Sequence, residues 1–246
     1  MKLHQGIYEI TENRPLAADI WRMTLAGDTA AITAPGQFVN IRLEGRFLRR
    51  PISVCDWREG ELTIIYKVLG AGTAEMTGFP AGKTLDLLTG LGNGFDPAEG
   101  GDAPLLIGGG VGVPPLYGLA KRLIALGKKP RAVLGFNTAP EVFYAEEFRA
   151  LGCPVTLATA DGSLGVRGFV TDVLPEDYSY FFTCGPEAML KAVYRKTKTS
   201  GQLSFERRMG CGFGACMGCS CKTVTGFKRI CREGPVLRKE EIVWDD

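Results

Sequence analysis

The stretch ending in Cys231 constrains this chain more than any other. Five of the eight cysteines lie between Cys211 and Cys231, among Gly210, Gly212, Gly214 and Gly218. Cys211, Cys216 and Cys219 follow C-x4-C-x2-C, a spacing of thiolate ligands for a [2Fe-2S] cluster, and Cys231 can supply the fourth. The glycines permit positive φ and close backbone approach, so the loop can wrap sulfides and turn N–H groups toward them. Zinc is the other reading, but structural zinc sites pair two C-x2-4-C knuckles, whereas here three thiolates crowd one loop. A disulfide framework is disfavoured, because cysteines gathered at one end staple nothing else together. Cys221 is left over. It could replace Cys219 as a ligand, yet the x2 spacing favours Cys219 and leaves Cys221 a free thiol beside the cluster.

A chain of 246 residues, 45% hydrophobic, has room for one or two ordinary domains plus a small appendage. Net charge is +2 and the pI about 8.1, with the basic residues scattered, so no stripe suits nucleic acid or an anionic membrane. The uncharged run Ala103 to Ala120 is broken by glycines and Pro114-Pro115, which makes it a poor membrane span. Met1 to Gly6 begins no signal-peptide apolar region, which points to the cytoplasm, where thiols stay reduced. One histidine, His4, leaves no room for Ser-His-Asp, Cys-His or His-ligand metal chemistry. It is expected to be solvated, as is the acidic end Glu240, Glu241, Asp245, Asp246. Bound cofactors then carry any chemistry.

Short β-branched or alternating runs fill the first third: 7–10, 20–25, 38–43, 51–54, 62–68 and 84–88. They predict a small antiparallel barrel or sandwich. Within it, Arg49-Arg50-Pro51-Ile52-Ser53 can fork an arginine onto a phosphate while the strand presents a hydroxyl. Gly70-Ala71-Gly72-Thr73 opens a short helix through Met76 and offers free N–H groups to a second phosphate. Two such features in one β domain suit a dinucleotide pyrophosphate.

After the Gly100-Gly101 linker, strands and helices alternate, which predicts a parallel α/β sheet. Strand 105–107 enters Gly108-Gly109-Gly110-Val111-Gly112, followed by a helix with Leu116, Leu119, Leu123 and Ile124 on one face. Further strands are expected at 132–136, 155–158 and 180–183, with helices at about 142–151 and 187–196. The glycine run is not G-x-G-x-x-G, since its third position is Pro115, and no acidic residue stands near the next strand end. Cys184-Gly185-Pro186-Glu187 follows strand 180–183; Cys184 could equally be a small buried residue, as Cys55 and Cys153 are taken to be. The expected division is 1–99, 100–200 and 201–246, the last beginning with strand 202–205.

Arg-Pro-Ile-Ser at 50–53, Ile-Ile-Tyr-Lys at 64–67 and Gly72-Thr73 resemble the FAD domain of the ferredoxin reductase superfamily. The resemblance implies that Arg50 holds the FAD pyrophosphate, Ser53 meets the flavin ring with Pro51 and Ile52 beside it, and Ile65, Tyr66 and Lys67 line it. Gly72 and Thr73 would cap its phosphates, with Asn93 and Phe95 of the turn 91–95 closing the site. Many members have tyrosine where this chain has Ile52, so Tyr66 would take over ring stacking. Cys184-Gly185-Pro186 resembles the motif that edges the nicotinamide, placing a pyridine nucleotide with Gly109, Gly110 and Gly112. Asp161 comes before Arg167 in its loop and favours NAD over NADP.

The order FAD, NAD, [2Fe-2S], with a compact cysteine tail ending Cys231-x-x-Gly-Pro-Val, resembles the electron-transfer subunits of NAD-dependent, B-type dihydroorotate dehydrogenase. That resemblance implies a separate FMN-containing catalytic subunit, within a heterotetramer by the family's pattern, whose electrons pass through the cluster and FAD to NAD+ during UMP biosynthesis. Flavin exchanges either one or two electrons, so FAD stands between nicotinamide and cluster. The competing reading is an NAD(P)H-oxidoreductase subunit of a hydrogenase, sulfide dehydrogenase or electron-bifurcating transhydrogenase. A third is a non-catalytic zinc module on a degenerate flavin fold.

Overall fold

The computed structural model describes residues 3–244; Met1, Lys2 and the acidic-end residues Asp245 and Asp246 lie outside the described residues. The first third contains β1 (His4–Ala17), β2 (Ile20–Ala26), β3 (Phe38–Ile41), β4 (Arg50–Arg58), β5 (Glu61–Lys67), α1 (Ala71–Thr77) and β6 (Thr84–Leu91). The strands form a closed antiparallel barrel in the order β1-β2-β5-β4-β3-β6. Closure follows from the length of β1. Its residues from His4 to Glu9 pair with β6, whereas those from Glu9 to Ala17 pair with β2, so one bent strand serves both edges. A sandwich would have left those edges open. His4 therefore opens a strand, its Nε2 3.6 Å from the Asp28 carboxylate, and is not a loose terminal residue.

Period-two alternation fills the barrel: Leu62, Ile64 and Tyr66 turn inward with Tyr8, Ile10, Val39 and Ile41, while Ile65 faces out. That outward face is also apolar, because α2 lies on it.

The α/β part runs β7 (Leu105–Gly109), α2 (Val113–Ala125), β8 (Arg131–Phe136), α3 (Ala145–Ala150), β9 (Val155–Thr159), β10 (Val166–Arg167), β11 (Phe181–Cys184), α4 (Glu187–Lys196) and β12 (Gly201–Ser204). Pro114 and Pro115 occupy the first turn of α2, where no intrahelical N–H is required. Gly118 lets α2 approach the barrel: a Cβ there would lie 2.7 Å from the Cys55 carbonyl oxygen. One turn on, Lys121 meets Asp56 at 2.5 Å. Ile20, Cys55 and Ile65 thus share a core with Leu116, Leu119 and Leu123.

Helix α3 is shorter than expected. Residues 139–141 form a 3-10 turn containing Pro140, and Tyr144 takes a left-handed φ of 65° as Phe143 and Tyr144 pack edge-on against Phe136 and Tyr117. Aromatic burial overrides helix propensity there.

The tail adds β13 (Ser220–Thr223), β14 (Gly226–Arg229) and β15 (Val236–Arg238). The sheet order is β10-β9-β8-β7-β11-β12-β15, parallel except for β15 beside β12, and β13-β14 form a separate hairpin. Segment 201–246 therefore contributes β12 and β15 to the seven-stranded sheet, and the cysteine loop with its hairpin lies between them in the chain. Glu241 is not merely solvated: it binds Lys228 of the hairpin at 2.5 Å.

Candidate functional site

Arg49 and Arg50 are adjacent in sequence but have different surroundings. Arg49 is held by the Asp86 carboxylate at 3.0 and 3.1 Å and by the Asn40 carbonyl at 3.2 Å. Burial alone would raise the Asp86 pKa, but Arg49 and its other partners hold it below the usual range. The Arg50 side chain has one hydrogen bond among the described residues, to the Leu48 carbonyl, and its guanidinium covers Gly72. A Cβ on Gly72 would lie 2.9 Å from Arg50 Nη2. The arginine and the helix start, 22 residues apart in sequence, therefore form one cationic corner. Thr73 Oγ1 accepts from Leu69 N at 2.9 Å and so closes the turn before α1.

Strand alternation sorts the other residues of the barrel site. Val54 and, partly, Ile52 pack with the barrel interior, whereas Cys55 belongs to the outer core; Pro51 and Ser53 share its parity. Ile65 and Lys67 alternate outward in the same way. Tyr66 does not. It is 1% exposed inside the barrel, and its hydroxyl donates to Asn13 Oδ1 at 3.0 Å, so its ring cannot replace the stacking lost at Ile52. Asn93 and Phe95 also differ from expectation. The Asn93 amide is consumed by the tail, donating to the Val236 carbonyl at 2.7 Å and accepting from Val236 N at 3.1 Å. Phe95 is buried edge-on against Phe182 at 5.8 Å.

The two glycine turns of the sheet meet where strand order reverses, between β7 and β11. A Cβ on Gly112 would run into the Cys184 carbonyl, 2.6 Å from Gly185 N, and Gly109 packs against Met189 and Pro186. Gly110 has φ 51°. Around them opens a cavity of about 610 Å³, lined by Gly109–Gly112, Gly185 and Pro186 from the sheet and by Ile20, Lys67 and Leu69 from the barrel. It lies at the carboxyl ends of the parallel strands, the usual ligand position in an open α/β sheet.

Cys184 is 3% exposed and its thiol is pushed up to about 12, mainly by burial, as are Cys55 and Cys153. It is a neutral buried thiol, not a nucleophile. Asp161 does not line the cavity; its carboxylate accepts from Ser163 N at 2.9 Å and Oγ at 2.6 Å, and these bonds lower its pKa. An acid does stand beyond the next strand end: Glu141 lines the cavity and accepts from Asn137 Nδ2 at 3.0 Å. It escaped notice because it follows Pro140 in the 3-10 turn instead of ending β8. Phe136, Phe143, Phe169, Met189 and Glu206 also line the cavity. No short motif marks them, since separate loops deliver them.

The cysteine loop brings its thiols together in pairs. Cys211 N lies 3.5 Å from Cys216 Sγ, and Cys231 N lies 3.4 Å from Cys219 Sγ. The paired thiols also interact with each other, Cys211 with Cys216 and Cys231 with Cys219. Burial raises the Cys211 pKa, but N–H groups of Phe213, Cys216 and Ala215 outweigh it and bring the thiol down to about 6. Among the described residues no three His, Cys, Asp or Glu side chains converge as ligands of one ion. Two pairs match two irons, each needing two thiolates, and the inward N–H groups fit an anionic cluster. Cys221 takes part in neither pair: burial raises its pKa, and Arg207, Cys219, Lys228 and Glu187 act on it electrostatically.

The family model "Iron-sulfur cluster binding domain of dihydroorotate dehydrogenase B" matches residues 206–243. The "Dihydroorotate dehydrogenase B (NAD(+)), electron transfer subunit" of Geobacillus sp. (strain WCH70) is 42% identical over 249 residues, 95% of this chain and 96% of its own. That of Shouchella clausii (strain KSM-K16) is 41% identical over 261 residues, covering 99% and 100%. Among solved structures, one described as an NADH-dependent reduced ferredoxin-NADP oxidoreductase superposes with a TM-score of 0.87 at 30% identity, covering 97% of this chain and 90% of that one. At this identity over nearly its full length, the chain belongs to the electron transfer subunits of dihydroorotate dehydrogenase B (NAD(+)).

Proposed function

We propose that this chain passes electrons from a dihydroorotate-oxidising catalytic subunit to NAD+, with a [2Fe-2S] cluster and FAD held in series, in pyrimidine biosynthesis. The observation that carries the series order is a shared core. Phe38 stands opposite Ser53 across β3-β4 and packs in one cluster with Cys219 and Cys231. The β3-β4 side of the proposed flavin site thus borders the cysteine loop, while its β5 side, through Lys67, borders the cavity at the β7-β11 switch.

Arg50 supplies positive charge to the FAD pyrophosphate, and Gly72 leaves room for both; Thr73 fixes the turn they share. Ser53 presents its hydroxyl to the ring, with Pro51, Ile52, Ile65 and Lys67 around it. Tyr66, Asn93 and Phe95 support this site from behind. Gly109, Gly110 and Gly112 admit the NAD backbone against the sheet, and Cys184-Gly185-Pro186 borders its reactive end. Asp161, outside the cavity lining, would face the adenosine end. Cys211 with Cys216, and Cys219 with Cys231, hold the cluster. When bound, these groups supply two-electron exchange at NAD, single-electron exchange at the cluster and both at the flavin.

Phe213, Met217, Val224 and Phe227 are exposed around the cysteine loop and hairpin, a surface suited to burial under the catalytic subunit. We place that subunit as an FMN protein, and the complex as a heterotetramer in the cytoplasm, where all eight cysteines, free here, stay reduced. Among the described residues no helix is long and apolar enough to cross a membrane.

The likeness to the reduced ferredoxin-NADP oxidoreductase favours one other reading, a subunit of a bifurcating complex. Higher identity over the full length and the family model favour the first. Co-purification separates them. An FMN protein that oxidises dihydroorotate is the expected partner; a multi-cluster iron-sulfur subunit in its place would overturn the assignment.

A further inference from the structure

Asn40 lies on β3 between Val39 and Ile41, both of which turn into the barrel, so its own side chain points outward toward the cysteine loop. It is 1% exposed. Its Nδ2 donates to the Cys211 carbonyl at 3.3 Å, while its Oδ1 is buried with no hydrogen-bond partner. Gly212 has a complementary shape: its φ is 76°, and a Cβ there would collide with Asn40 Nδ2 and lie 3.2 Å from Cγ. The Asn40 main chain is anchored too, its carbonyl accepting from Arg49 Nη1 at 3.2 Å. Across the β3-β4 pairing, Asn40 stands opposite Pro51, between Arg50 and Ser53.

An amide buried with one end unpaired is costly, and an apolar residue of similar volume would serve packing alone better. Such local conflicts gather where geometry serves function. We propose that Asn40 is a positioning residue: it fixes the Cys211 carbonyl, and with it the Cys211 and Cys216 half of the thiol set, against the flavin strand, and so sets how fast electrons cross between flavin and cluster. This rests on the cofactor assignment above.

The test uses the full chain loaded with FAD and iron, in complex with its catalytic subunit. Two properties are read: the electron paramagnetic resonance spectrum of the dithionite-reduced cluster, and the rate of cluster reduction by NADH relative to the rate of ferricyanide reduction by NADH. Asn40→Ala and the isosteric Asn40→Asp, which lacks the donor, should alter the spectrum and lower that ratio about tenfold or more, because a small misplacement of reacting groups is expensive. Gly212→Ala should act in the same direction, and Asn40→Ala/Gly212→Ala should lose less than the two single changes together, since the clash is gone and only the strain of a Cβ at φ 76° is added. If Asn40→Ala costs the cluster itself, Asn40→Asp is read on the same two properties. Unchanged spectrum and ratio in Asn40→Asp would overturn the proposal. A parent protein without iron or FAD would instead defeat the cofactor assignment.

Discussion

Asn93 grips Val236 with both ends of its amide, donating to the carbonyl at 2.7 Å and accepting from the N–H at 3.1 Å. The same Nδ2 reaches the Glu233 carbonyl at 3.2 Å, and Asn93 N donates to the Gly234 carbonyl at 2.7 Å. Gly92, at φ 75°, closes the clasp: a Cβ there would lie 2.5 Å from Pro235 Cδ. The turn after the barrel thus holds the segment that follows Cys231. Asn93→Ala removes the three side-chain bonds and should cost about 3 kcal/mol. Denaturant unfolding monitored by cluster absorbance and by the fluorescence of the barrel's Trp21 and Trp57 measures this, with cluster loss preceding barrel unfolding. An unchanged midpoint would show that the clasp is dispensable.

Arg50→Ala should weaken FAD binding well over tenfold, since a charge-assisted pair is worth about 2 kcal/mol or more. Gly72→Ala tests the same corner without removing charge. Its methyl displaces the Arg50 guanidinium, a flexible end that can move, so FAD affinity should fall while stability holds. Retention of FAD on dilution is the measurement. Full retention in Arg50→Ala would remove the basis of the flavin assignment.

The thiol pairing yields a clean contrast. Cys221→Ser should keep about two irons and two labile sulfides per chain, whereas Cys219→Ser should lose or distort the cluster. Iron analysis showing the reverse would exchange their roles.

Glu206 borders the cavity, open to solvent on one side, and burial raises its carboxyl above the ordinary value. A raised carboxyl holds its proton in the folded state from the unfolded value, about 4.3, up to the raised one, so its destabilising effect grows as pH rises through that interval and is complete above it. Glu206→Gln should therefore melt higher than the parent near pH 7, with the gain shrinking as pH falls toward about 4.3. A gain independent of pH would assign the effect to something other than the charge.

The strands and α4 were legible because alternation and helical periodicity are local, and α4 falls on the expected residues 187–196. Three things were not. The β12-β15 pairing depends on where the chain returns after the cysteine loop, which no local pattern encodes. The inward turn of Tyr66 depends on strand parity, which a one-residue slip reverses. Asn93 in a glycine turn looked like a ligand contact, but a Gly-rich turn equally suits close approach of another backbone, and here Pro235 fills that space. In the site, the cysteine spacing and Arg50 carried their own signal, whereas Asn40, Glu141 and Glu206 come from separate segments and carried none.

On the proposed function, nicotinamide chemistry and cluster chemistry belong to separable parts of one relay. Steady-state rates on the reconstituted complex test it most directly, comparing the parent with Cys216→Ser after FAD content is matched. Cys216→Ser should abolish dihydroorotate-dependent NAD+ reduction but keep appreciable NADH-to-ferricyanide activity. A Cys216→Ser complex that lacks the cluster yet couples dihydroorotate oxidation to NAD+ reduction at the parent rate would contradict it.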